Sequence, residues 1–153
     1  MERNTGAGSI PQAALLLGYA GVIPFVAGAA AAWLFDGPSR GFALIALIAY
    51  GAAILSFLGG IRWGLAIAGR REEPGLLPLT VAVIPSLVAW IALLAPAPAT
   101  ALMALIVGLV LMAFSDAAAA RDGLAPAWYP RLRWPLAALA TAALGVALVR
   151  VLV

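Results

Sequence analysis

The sequence contains no cysteine and no histidine, and its nine basic residues are all arginine, because lysine does not occur. The first two absences remove disulfides, thiolate or imidazole metal sites, axial histidine ligation of haem, and catalytic triads built on a serine or a cysteine. The lack of lysine removes the remaining common nitrogen base, so Ser56 and Ser86 have nothing within the apolar runs to activate them. Intramembrane hydrolysis by paired carboxylates is excluded as well, since Asp116 is the one acid inside those runs. Charge is scarce in general. With 10% charged and 65% hydrophobic residues the chain has no stretch from which to build a soluble catalytic domain. The expectation is a protein that is not an enzyme and holds neither cofactor nor metal. The net charge of +3 comes from arginines set singly or in pairs beside apolar runs. That pattern orients a membrane bundle and does not bind a polyanion, so nucleic acid is not an expected partner.

What the chain does have is length in its apolar runs. The run 42–69 is the longest, and it must be helical, because hydrocarbon offers no water to backbone amides. With it, runs at about 11–35, 76–94, 101–120 and 134–153 predict one all-α domain, a polytopic membrane protein with a compact bundle of five transmembrane helices. A cleaved signal peptide is not expected, since the first run is of full span length and others follow. Pro24 is expected to bend the first span, and the breaker-rich turn 36–41 to pair spans one and two antiparallel. Pro130 and Pro135 are expected to prevent a regular helix across 121–135. Arg3, Arg70, Arg71, Arg121, Arg131 and Arg133 fall on one side of such a bundle, against Arg40 and Arg150 on the other. The bias predicts a cytoplasmic N-terminus and a periplasmic C-terminus in a bacterial inner membrane.

Three groups of residues stand out. Ser56, Gly60, Gly64 and Ala68 recur every four residues, a strip along which another helix can approach closely, and Gly59 belongs to the same small-residue run. Close helix packing, inside the bundle or toward a partner, is the reading for Gly59, Gly60 and Gly64. Trp63, Trp90, Trp128, Tyr129 and Trp134, with Arg131 and Arg133, are of the types that settle at the headgroup level and are read as interface anchors. Arg62 and Asp116, with Ser56 and Ser86, form a candidate polar centre. Counted back from Arg70 and Arg121, Arg62 lies roughly 12 Å and Asp116 roughly 7 to 8 Å along their helices, on the same side. Two arrangements remain open: an ion pair joining spans two and four, or an arginine snorkelling to lipid phosphate while the aspartate meets headgroup water or backbone.

The blocks YGAAILSFLGGIRWG (50–64), VIPSLVAW (83–90) and PAWYPRLRWPL (126–136) resemble the DUF3429 family, small bacterial membrane proteins similar to mitochondrial transmembrane protein 69. The resemblance runs from about 17 to 144, and the matching residues include Ser56, Phe57, Gly59, Gly60, Arg62, Trp63, Gly64, Trp128, Tyr129, Leu132 and Arg133. It implies a five-span inner-membrane protein of an energy-transducing membrane and no nameable reaction. The expected function is that of an accessory or assembly subunit, packed against a larger membrane complex or a second copy of itself amid membrane lipid. The alternatives are a small-solute or ion transporter with a polar path at Arg62 and Asp116, and a lipid or quinone binding module.

Overall fold

The structure, a computed structural model, describes residues 9–68 and 75–153. Arg70 and Arg71 of the charge bias, and Arg3, lie outside the described residues. Among the described residues there are six helices: α1 (Gln12–Ala20), α2 (Ile23–Leu34), α3 (Gly37–Ala68), α4 (Leu76–Leu93), α5 (Pro98–Arg121) and α6 (Tyr129–Leu152). Taken together as Gln12–Leu34, α1 and α2 make one span, and among the described residues five segments are long and apolar enough to cross a membrane. The protein is an all-α polytopic membrane protein. At 32 residues α3 is about 48 Å long, against a hydrocarbon thickness near 30 Å, so it tilts or projects beyond the bilayer.

The break in the first span falls at Gly21 and Val22, just before Pro24, which occupies the first turn of α2. Proline has no N–H to offer the carbonyl four residues back, so the helix restarts there. A neighbour satisfies another carbonyl of the break: the Tyr50 hydroxyl of α3 donates to the Gly21 carbonyl at 2.9 Å, while its ring meets Phe25 edge to face. Tyr50→Phe should therefore cost about 1 kcal/mol in a detergent unfolding experiment and loosen the α1–α2 joint. Unchanged stability would show that the break holds without this bond.

Three prolines expected to lie in turns are helical instead. Gly37 takes φ +57° and lets the chain leave Leu34 and enter α3 at once, with Pro38 in a first turn where no N–H is required. The turn 36–41 thus shrinks to Phe35 and Asp36. Pro130 likewise stands in the first turn of α6, and Pro135 sits within that helix without ending it. The expectation that these two prolines forbid a helix across 121–135 is incorrect for its second half. One prevents no bond that a helix start would make, and the other removes a single bond in a segment held by its neighbours.

Helices α2, α3, α5 and α6 close a ring, α4 packs on α3 and α5, and α1 leans on α6. The buried stripe of α3 runs through Leu44, Leu47, Ile48, Gly51, Ala52, Leu55, Leu58 and Gly59, with helical spacing. Between α3 and α5 the packing is reciprocal. Leu105 fills the space over Gly51, and Leu55 fills the space over Gly108. At the side away from the N-terminus, Arg150 of α6 donates to Asp36 at 3.2 Å and lies over the Trp33 ring, and Trp33 Nε1 donates to the Val146 carbonyl. This staple ties the α2–α3 corner to the end of α6.

Candidate functional site

Helix α5 ends in a turn that aims the chain straight back. The amide of Gly123 donates to the Ala120 carbonyl and that of Leu124 to the Ala119 carbonyl, with Gly123 at φ +72°. A glycine there accepts the left-handed backbone that this helix-terminating pattern demands. The short connection returns α6 antiparallel to α5, so residues equally far from the turn meet. Asp116 and Arg133 are such a pair.

Arg133 Nε donates to Asp116 Oδ2 at 2.7 Å, and both side chains are buried, Asp116 completely and Arg133 with 9% of its surface exposed. The carboxylate takes only half of the guanidinium edge. Asp116 Oδ1 and Arg133 Nη2 have no hydrogen-bond partner, and neither does the hydroxyl of Tyr129, which lies close to the carboxylate without a well-formed bond to it. Buried polar atoms are nearly always satisfied, so the donors left open here, Arg133 Nη2 above all, mark a place where polar groups are offered to something else. Arg62 stands next to them: its Nη1 donates to the carbonyl of Ser115 at 3.4 Å, one residue before Asp116.

The residues that the sequence suggested are partly brought together. Arg62 and Asp116 share a depth and a neighbourhood, but the carboxylate is bonded to Arg133. Arg133 as a headgroup anchor is thus corrected, because α6 starts early enough to carry it into the bundle. Tyr129 is likewise drawn inward from the interface. Ser56 and Ser86 do not join the polar cluster; Ser86 lies between α3 and α4, near Gly59. Gly59 is buried, and a Cβ added there would stand 2.7 Å from the Ala82 carbonyl, whereas Gly60 and Gly64 face open space. Trp63, Trp90 and Trp134 are exposed on the outside of the bundle, with Trp90 in the last turn of α4 and Trp134 edge-on to Phe114. Trp128 is half-buried beside Tyr129, and Arg131 follows in the first turn of α6. The signal that would have singled out Arg133 is symmetry of spacing about the 122–128 turn.

The polar cluster adjoins a cavity of about 390 Å³ between α1, α3, α5 and α6. Its walls are apolar, among them Leu17, Gly18, Phe25, Ile54, Phe57 and Ala140, and its polar end is made by Trp128, Tyr129 and Arg133. The cavity follows from the break at Gly21. Because α2 packs on both α3 and α6 while α1, beyond the break, leans chiefly on α6, a gap opens between α1 and α3. The volume lies within the roughly 300–1,000 Å³ typical of ligand sites.

Comparison with known proteins gives a relative and a family. Over 85 residues the chain is 47% identical to transmembrane protein 69 of Xenopus tropicalis, covering 55% of this chain and a third of that protein's length. The placement expected from the arginine bias, a bacterial inner membrane with a cytoplasmic N-terminus and a periplasmic C-terminus, does not stand: this relative is a vertebrate protein, so the resemblance carries no bacterial membrane with it. No solved structure matches. A family model described as a protein of unknown function matches residues 10–149, nearly the whole chain, and the protein belongs to the DUF3429 family.

Proposed function

We propose that the protein is a non-enzymatic membrane module that holds a bilayer-dissolved amphiphile in the cavity between α1, α3 and α6. The observation that supports this reading is the joining of a long apolar cavity to a buried polar end whose Arg133 Nη2 and Tyr129 hydroxyl lack partners. An amphiphile entering sideways from the bilayer would keep its chain against apolar walls and offer its head to those donors. A transport path through Arg62 and Asp116 draws less support, because the carboxylate it would need is sealed and committed to Arg133.

The test is occupancy. Purified from mild detergent, the protein should carry an amphiphile visible by native mass spectrometry, and Ala14→Phe should displace it. Ala14 is a half-buried residue of the outer wall, so the larger ring fills cavity and leaves the bundle's core alone. Equal occupancy in the variant, with unchanged melting, would count against the cavity as the binding place.

A second reading, the accessory or assembly subunit, draws support from Gly60 and Gly64, which turn a bare strip of α3 outward. On that reading Gly60→Leu should strip away a copurifying membrane protein, or dissociate a self-assembly, while the melting of the chain itself stays the same. Retention of partner and assembly in that variant would leave the strip facing lipid.

A further inference from the structure

We infer that the amphiphile is a single-chain anion, a fatty-acid-type carboxylate, received at its head by Arg133 and Tyr129 with its chain running along α6 toward the middle of the bilayer. The inference rests on the cavity being a binding site, as proposed above, and adds the charge and the shape of what enters it.

Charge is the first argument. Among the described residues the cluster sets two guanidinium groups, Arg62 and Arg133, against one carboxylate, Asp116. Within hydrocarbon a surplus cation is costly unless an anion meets it. A neutral head would leave that surplus standing.

Donor geometry is the second. Arg133 is nine-tenths buried, and both it and Tyr129 line the cavity, with Nη2 of one and the hydroxyl of the other unpaired. A carboxylate accepts at two oxygens, so one head can take both donors, and charge-assisted bonds of this kind are the stronger sort. The unpaired Oδ1 of Asp116 is an acceptor, and it is not part of the cavity lining. A carboxylate held by the Tyr129 hydroxyl comes near the Asp116 carboxylate, and the two guanidinium groups, Arg62 and Arg133, offset that repulsion.

Shape is the third. Along α6 the cavity wall extends from Trp128 to Ala140, about 18 Å at the helical rise, and it is apolar beyond Arg133. One hydrocarbon chain suits a slot of this form, whose polar contacts are confined to one end.

The experiment is equilibrium binding of radiolabelled palmitate to the full chain in nonionic detergent, competed with methyl palmitate, a lysophosphatidate and a short-chain quinone. Palmitate should bind at least about tenfold more tightly than its methyl ester; Tyr129→Phe, which removes a donor, should weaken both acid and ester, whereas Arg62→Gln, which removes a charge outside the cavity lining, should weaken palmitate about tenfold and leave the ester unchanged. Neither variant removes the Asp116–Arg133 bond, and unchanged melting confirms that each is folded. Equal binding of acid and ester would overturn the anionic head while leaving an amphiphile site in place. Tighter binding of the lysophosphatidate or the quinone would overturn the carboxylate in favour of a phosphate or a neutral ring. Binding of none of the four would overturn this inference together with the function on which it rests.

Discussion

Asp116→Asn and Arg133→Gln should each destabilise the protein by about 3–5 kcal/mol, while the double variant should lose much less than the sum. The two groups form a 2.7 Å ion pair in which the carboxylate is sealed from solvent, so removing either partner strands a charge in the bundle. Asp116→Asn should be the more damaging, since it leaves Arg133 and Arg62 side by side with no acid between them. In Arg133→Gln, Arg62 is near enough to give the carboxylate some compensation. Replacing both partners leaves two neutral amides of similar volume, which can bond to each other. Arg62→Gln alone should be mild, because its bond to the Ser115 carbonyl is long and its side chain only half-buried. The measurement is a double-mutant cycle on unfolding in detergent micelles or bicelles. Strictly additive single losses would refute the pair as an energetic unit, and an Arg62→Gln loss equal to that of Arg133→Gln would shift the carboxylate's partner to Arg62.

The second large effect is expected at Gly59. A Cβ there would stand 2.7 Å from the Ala82 carbonyl oxygen and 3.4 Å from Pro85 and from the Ser86 hydroxyl. The obstacle is backbone, which cannot rotate aside, so Gly59→Leu must push α4 off α3. Overpacking of this kind costs roughly 1–3 kcal/mol and occasionally more, and at a helix contact set by bare glycine the upper end is expected. Gly60→Leu, one residue on, meets open space and should leave the melting temperature of the chain unchanged. Paired unfolding curves for the two variants decide the matter. Similar losses from both would mean that Gly60 also faces a packed neighbour.

The sequence alone determined that this is a polytopic membrane protein, with five segments among the described residues long and apolar enough to cross a membrane. Hydropathy sums over some twenty residues, so no single proline or glycine outvotes it. It also determined that Pro24 interrupts the first span, because a missing N–H is a property of one residue, and that Asp116 and Arg62 lie at similar depth, because depth along a helix is a count. Families are legible in the same linear way, and the SFLGGIRWG block carried the resemblance that the family match shows. Which way a side chain points around its helix is a different quantity. Gly59 and Gly60 are neighbours of identical chemistry, yet one lies under the Ala82 carbonyl and the other in open space, and only the position of α4 decides between them. Arg62 and Arg133 were equal in charge and close in depth. The antiparallel return through Gly123 gave the carboxylate to Arg133, and the prolines expected to prevent a regular helix there stand where a helix tolerates them. The cavity belongs wholly to the tertiary structure. Pro24 broke the span, but the gap exists because α2 packs on α3 as well as α6 while α1 leans chiefly on α6, and contacts between distant segments are not written at any one position of the chain.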